Sequence, residues 1–376
     1  MSRGSEPPPP PPFDPCASPE VGEYVRALAG RALPGGALET RIHPRDEMYR
    51  FELAAPHRTA DIAAIRYFAV GNSVARTVGE LCDWRFGGGS RVGSLLDFAA
   101  GYGRTTRFLV RMLGAARITA VEIDADAVRF QAETFGVRGV VSSHDPKTLS
   151  LPGPFDLVLA VSLFSHLPEE RFEAWLGRLW GLVAPRGLLA FSTNGERVMP
   201  GSVRMPSSGI AYVPQSETTR LSGEEYGTTW VTPEFVRRAD AAAAPEAGLA
   251  FRTDGLSGAQ DLYVLARALP AGDPPLARDP MGVLEWAAVE GGTVTARGWA
   301  QGDADERPPD VKLYVGSLLA DVSPGKGPPG SRRGWCFVFP TAGIPPDRVI
   351  RIEAESERGA SRLLVTETLG PYLPKP

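Results

Sequence analysis

From Arg91 to Thr193 the sequence alternates short apolar runs with segments of helical period, and this alternation limits the fold more than any other feature. "SLLDF" reads as a strand, followed by a helix from Arg104 to Leu113. "RITAVEI" (Arg117 to Ile123) is a strand, and Asp126 to Phe135 a helix. "VRGVVSS" is a third strand. "FDLVLAV" (Phe155 to Val161) is apolar at almost every position, as a strand buried on both faces of a parallel sheet must be. A helix from Glu169 to Leu182 and the strand "GLLAFST" (Gly187 to Thr193) complete the series. Strand and helix in turn imply a doubly wound, mostly parallel α/β sheet. After a long segment, Glu196 to Trp230, comes a short helix from Thr232. "LAFRTDG" and "QDLYVLARA" then follow with a link too short for a crossover. The sheet is therefore expected to have seven strands and to close with an antiparallel hairpin.

Chain length and local pattern predict more than this domain. At 376 residues, the chain exceeds one typical core. Residues 1–20 contain six consecutive prolines, Pro7 to Pro12, and read as a solvated, disordered tail. Residues 21–90 read as a helical lead, with Ile62, Ile65, Phe68, Val74, Val78 and Leu81 at helical spacing and a break at Gly71. The α/β domain occupies 91–268, and a proline-rich linker 269–281. Residues 282–376 carry seven short strands, including the hairpin "VKLYV-GS-LLADV", and are expected to form an immunoglobulin-like β-sandwich. Trp286, Trp299 and Trp335 are read as sandwich core rather than as sugar-stacking residues.

A net charge of −4 without a Lys/Arg run argues against a partner bound through phosphate neutralisation, so no nucleic acid is expected. Cys16, Cys82 and Cys336 are widely spaced, and neither they nor His43, His57, His144 and His166 stand at metal-ligand spacing. No metal, no membrane span and a reducing cytoplasm are the expectation.

The stretch "LLDFAAGYGRTTRFL" (Leu95 to Leu109) places an acid and a small-residue turn between strand and helix. Such a turn lets backbone approach a ligand closely. A dinucleotide turn wants a third glycine where Thr106 stands, and Asp97 would repel a pyrophosphate. S-adenosylmethionine, with a sulfonium and an ammonium, suits nearby carboxylates. Glu122, at the end of the second strand, is placed to accept both ribose hydroxyls. Asp145, after the third strand, is placed to accept from the adenine amino group.

Asp97-Phe98-Ala99-Ala100-Gly101-Tyr102-Gly103 resembles the first motif of class I S-adenosylmethionine-dependent methyltransferases. "AVEID" is similar to their second motif. "FDLVLAVSLFSHLPEERFEAWLGRLWGLVAPRGLLAFST" resembles the family's fourth strand, helix and fifth strand, including the turn Pro185-Arg186-Gly187. The resemblance runs from about Ser94 to Ala268, with Ala99 where the family's first glycine usually stands. "EEYGTTWVTPEFV" and "AQDLYVLAR" look like a bacterial subgroup associated with glycan and natural-product gene sets. The resemblance implies S-adenosylmethionine as methyl donor, held by Asp97, Ala99, Gly101, Gly103, Glu122 and Asp145. It implies O-methylation of a small molecule or glycan. His166, just past the fourth strand, is the first candidate for the base a hydroxyl acceptor needs, and His144 the second. Tyr226 and Asn194 are candidate substrate contacts. The lack of an Asn/Asp-Pro-Pro-Tyr sequence counts against amino methylation of adenine, cytosine or glutamine. The segment Tyr67 to Gly71 is a candidate lid. Two rival readings stay open: a catalytically silent S-adenosylmethionine-binding protein, and a binding protein that works through its sandwich, whose partner the sequence does not name.

Overall fold

The computed structural model describes residues 10–32, 37–215, 222–270 and 273–370. Part of the proline run, and the residue pair 271–272 of the linker, lie outside them. Of residues 1–20, expected as a disordered tail, 10–20 are described, and from Phe13 on they are held by the fold. Phe13 already pairs with Ile42, its N–H donating to the Ile42 carbonyl at 3.1 Å. Helix α1 (Pro19–Ala32) follows. Helix α2 (Glu47–Ala54) starts where the Asp46 carboxylate accepts from the N–H groups of Met48 and Tyr49. Helix α3 (Ala60–Phe86) starts at a Thr59 cap and stops at Gly87, whose φ of 74° suits glycine.

The break expected at Gly71 does not occur. Helix α3 runs through it, because glycine serves here for close approach: a Cβ at this position would lie 2.3 Å from the Arg104 carbonyl oxygen. The helix thus lies directly on the chain that leaves the glycine turn.

The α/β domain contains β1 (Leu95–Phe98), α4 (Thr106–Leu113), β2 (Ile118–Glu122), α5 (Ala125–Phe135), β3 (Arg138–Val141), β4 (Phe155–Ala160), α6 (Glu169–Trp180) and β5 (Val183–Thr193). A short pair, β6 (Ile210–Val213) and β7 (Thr228–Val231), comes next, then α7 (Pro233–Ala243), β8 (Gly248–Leu256) and β9 (Gln260–Ala266). The seven-stranded sheet has the order β3-β2-β1-β4-β5-β9-β8. Strands β3 to β5 run parallel, whereas β9 is antiparallel to both β5 and β8. The expected closing hairpin is therefore present. Strand order reverses between β1 and β4, which opens a crevice at their C-terminal ends.

Seven further strands form the sandwich: β10 (Met281–Glu290), β11 (Thr293–Gln301), β12 (Asp310–Val315), β13 (Leu318–Ser323), β14 (Arg333–Pro340), β15 (Val349–Glu355) and β16 (Ser361–Thr368). They form a three-stranded sheet, β10-β11-β14, and a four-stranded one, β13-β12-β15-β16. Alternating residues such as Leu313, Trp335, Phe337 and Ile352 fill the space between them. Of the tryptophans expected in that core, only Trp335 is fully buried, and Trp286 is 40% exposed.

The sandwich packs on the helical lead. Arg351, which is buried, stacks on Tyr24 of α1 at 4.6 Å and on Tyr314 of β12 at 4.0 Å. Asp279 of the linker accepts from Ser73 at 2.6 Å and pairs with Arg76 at 2.7 Å. Leu276 of the linker and Val349 of β15 join the same apolar cluster as Val21 and Leu28.

Arg107 ties the lead to the site. It is 1% exposed and has no carboxylate partner among the described residues. Its guanidinium donates to the carbonyls of Gly103, Glu39 and Arg41 and to the Tyr67 hydroxyl, at 3.1–3.2 Å. The rings of Tyr67, Phe68 and Phe135 surround it at 5.2–5.5 Å. An Arg107→Met variant takes the side-chain donor from the Glu39 and Arg41 carbonyls and the Tyr67 hydroxyl and is expected to lose about 3–5 kcal/mol of stability. Urea unfolding of variant and parent checks this.

Candidate functional site

A cavity of about 450 Å³ occupies the crevice at the strand ends. Its floor is the turn after β1. Ala99 has φ 59°, a left-handed conformation in a non-glycine residue, and Gly101 follows at φ 57°. A Cβ on Gly101 would meet no atom within 4 Å, so the turn leaves open space above it. Gly103, at φ 80°, does different work. A Cβ there would lie 2.3 Å from Phe135, so this glycine allows α5 to pack on the turn and does not line the cavity.

Glu122 ends β2 and lines the cavity. Its carboxylate accepts from the N–H of Gly101 at 2.9 Å, of Ile123 at 2.7 Å and of Asp124 at 3.3 Å. The side chain therefore holds the glycine turn against the second strand. Asp145 is exposed and lies off the cavity lining, where its Oδ1 accepts from Lys147 N–H at 2.9 Å. Ser142, Ser143 and His144 border the cavity at that strand end. A spacing argument placed an acid after β3; the backbone turns there and sends Asp145 outward.

Asp97 is 4% exposed and accepts a 2.7 Å hydrogen bond from Thr106. Burial pushes its carboxyl up to about 6; the Thr106 hydrogen bond opposes the shift and the nearby Glu122 charge adds to it. Its folded value thus lies above the ordinary 3.8, so the folded state holds the proton more tightly than the unfolded chain. Stability is present below pH 4 and is lost as pH rises toward 6, by about 3 kcal/mol in all. An Asp97→Asn variant should therefore be more stable than the parent at pH 8 without ligand, with a flatter stability profile between pH 4 and pH 6. Chemical unfolding across that range measures the difference.

His166 lies on the loop after β4 and lines the cavity. Its Nδ1 is 2.7 Å from the Gly227 carbonyl oxygen. Its ring stacks on Tyr226 at 4.4 Å, nearly parallel. The backbone on either side is clamped too: Gly227 N–H donates to the His166 carbonyl at 2.9 Å, and Thr229 N–H to the Ser165 carbonyl at 2.7 Å. A carbonyl only accepts, so Nδ1 carries the hydrogen and the neutral ring holds its lone pair on Nε2. His144 is more exposed, with Nδ1 3.6 Å from Glu225, which also pairs with Arg171 at 3.0 Å. Asn194 lines the cavity after β5, donating to the Thr229 carbonyl at 3.1 Å and accepting from Gln260 at 3.3 Å.

Several lining residues escaped the sequence reading. Arg104 follows the glycine turn, and Gln260 opens β9. Met48 and Phe51 come from α2, and Phe51 is 65% exposed. The candidate lid Tyr67 to Gly71 is instead core: Tyr67 is fully buried and donates to Asp46 at 2.6 Å. The helix of the lead that lines the cavity is α2. Among the described residues, no helix is long and apolar enough to cross a membrane.

Sheet order, glycine turn and strand-end carboxylate fit a class I, Rossmann-like methyltransferase domain, and the family match supports S-adenosylmethionine as its methyl donor. Residues 96–189 match the family described as "Methyltransferase domain". The chain is 34% identical over 108 residues to a ribosomal protein L11 methyltransferase of Geobacter sp. (strain M21), covering 28% of this chain and 33% of that protein. It is 27% identical over 150 residues to a malonyl-[acyl-carrier protein] O-methyltransferase of Prosthecochloris aestuarii, covering 39% of this chain and 55% of that one. The chain thus spans a third and just over half of the length of these two curated relatives. The crystal structure of Streptomyces venezuelae DesVI superposes with a TM-score of 0.41 at 17% identity, covering 59% of this chain and 98% of that chain.

Proposed function

We propose that the protein is an S-adenosylmethionine-dependent methyltransferase acting on a hydroxyl of a small molecule, sugar or glycan. The observation that carries the hydroxyl reading is His166, whose Nδ1 donates to Gly227 and whose Nε2 is thereby left as acceptor at the cavity. We assign the cofactor to the space above Gly101, between Asp97 and Glu122. The residues present fit it: open volume over the turn, and a buried carboxylate whose charge lacks a cationic partner among the described residues. Glu122 accepts from the ribose hydroxyls. Asp97 faces the positively charged end. Arg104, with no ion pair among the described residues, is placed for a carboxylate. Gly103 contributes through helix packing, and Asp145 through the loop it caps.

Bound there, S-adenosylmethionine supplies a methyl group activated by its sulfonium. The chain's own part is alignment and proton removal. Phe51 and Met48 of α2, with Trp175 and Leu163, give the acceptor half of the cavity an apolar wall that excludes water. Asn194, Gln260 and Tyr226 orient the acceptor. His166 Nε2 would take the hydroxyl proton as the oxygen–methyl bond forms and the sulfur–methyl bond breaks, the sulfur leaving as a neutral thioether and the ring as an imidazolium whose Nδ1–H still rests on Gly227. The name of the Prosthecochloris relative specifies an oxygen acceptor, there on a malonyl group and not on a hydroxyl. We further propose that the catalytic unit extends over 91–268 with 21–90 as its lead, and that 282–376 is a separate sandwich unit.

Incubation with S-adenosylmethionine tritiated on the methyl group and a panel of sugars and phenols tests the reading. Label in an ether product is the expected result. Label confined to amine or carboxylate acceptors would overturn the hydroxyl assignment.

A further inference from the structure

The β8–β9 turn and the segment after β5 each border two cavities. Gln260 and Asn194 face the large one. Gly258 and Arg197 border a second cavity of about 190 Å³, closed by Arg278 of the linker and by Trp299 and Arg362 of the sandwich. Its charges do not balance. Arg197 pairs with Asp254. The carboxylate of Asp279 is spent on Ser73 at 2.6 Å and Arg76 at 2.7 Å. Among the described residues, no carboxylate pairs with Arg278 or Arg362, and Arg278 Nε is buried without a hydrogen-bond partner. Gly258, at φ 61°, brings the turn so close that a Cβ would lie 2.8 Å from Arg362 Nη1. Beside them, Arg332 stacks on Trp299 at 3.7 Å.

Guanidinium groups that share a small, partly enclosed cavity repel one another and lose hydration without recompense. An oxyanion reverses both costs, and the planar guanidinium fork matches the geometry of phosphate. We propose that this seam between the α/β domain and the sandwich is a binding site for a phosphate-type oxyanion, held by Arg278 and Arg362. The anion is either a free phosphate compound or a phosphoryl group carried by the methyl acceptor; the second alternative rests on the function proposed above.

The full chain is titrated with inorganic phosphate and with pyrophosphate, against sodium chloride at matched ionic strength, by thermal shift and calorimetry. Saturable binding absent from the chloride control is expected. Arg278→Met and Arg362→Met should each weaken it roughly tenfold or more. Arg362→Met should melt no lower than the parent without anion, because the substitution removes a repulsion; this variant keeps the test readable if Arg278→Met folds poorly. A rise matched by chloride, or saturable binding unchanged in both variants, would overturn the site. This arm needs no turnover, so it stands apart from any failure of methyl transfer. Where an acceptor is turned over, pyrophosphate that competes with it identifies a phosphorylated acceptor, and pyrophosphate that binds without competing identifies a separate anion.

Discussion

Replacing Glu122 with alanine should weaken S-adenosylhomocysteine binding by roughly 10²–10⁴-fold, the loss expected for two charge-assisted hydrogen bonds at about 1.5–3 kcal/mol each. The structure adds a reason to look for the upper part of that range. The same carboxylate accepts from Gly101 N–H at 2.9 Å and Ile123 N–H at 2.7 Å, so its removal also frees the turn on which the cofactor is proposed to lie. Glu122→Gln separates the two effects. The amide oxygen can keep one backbone bond, but it lacks the charge and offers one acceptor fewer. Calorimetry on parent and both variants should rank them parent, Gln, Ala. Equal affinity in all three would remove Glu122 from the ribose role.

The parts of this molecule that read well from the sequence are those set by local pattern. Strands such as Phe155–Ala160 are apolar at every position but Asp156 because both faces are covered, and the short link from β8 to β9 permits only a hairpin. The parts that did not read are set by partners far along the chain. Segment 196–230 has no periodic signal. Its strands β6 and β7 stay in place through contacts such as Thr229 N–H to Ser165 and Val231 N–H to Asn194 at 2.9 Å. Gly71 looked like a helix breaker because glycine weakens a helix locally; the overriding contact is with Arg104, which no window around Gly71 contains. Arg107 carries no signal in the sequence, although three carbonyls and three rings enclose it.

The same distinction applies at the site and the linker. Asp97, Ala99, Gly101, Glu122 and His166 come together around one cavity because each sits at or just past a strand end, a position the strand pattern reveals. Arg104, Gln260 and α2 reach it through the fold as a whole. Proline-rich composition suggested a tether over 269–281. Composition reports backbone preference, not contacts, and Leu276 and Ala277 prove to be buried against the helical lead.

An alanine in place of His166 should slow the chemical step by roughly 10²–10⁴-fold, with little change in cofactor affinity. The geometry makes the expectation specific. Gly227 accepts from Nδ1 at 2.7 Å, and stacking on Tyr226 fixes the ring plane, so the basic lone pair is held in one place and is not shared between two tautomers. A base of this kind works only when neutral, so the parent's rate should fall as the medium is acidified and the variant's residual rate should lose that limb. A packing role predicts another pattern. The variant would melt earlier, because the His166–Tyr226 stack and the clamp to Gly227 are gone, yet each folded molecule would turn over at the parent's rate with the parent's pH profile. Single-turnover rates at several pH values, normalised to the folded fraction from a thermal melt, separate the two. Tyr226→Phe keeps the stack and the Gly227 contact, so it isolates the part the Tyr226 hydroxyl plays in orienting the acceptor. A folded His166→Ala protein with the parent's rate would transfer the base role to His144, which faces the same cavity beside Glu225.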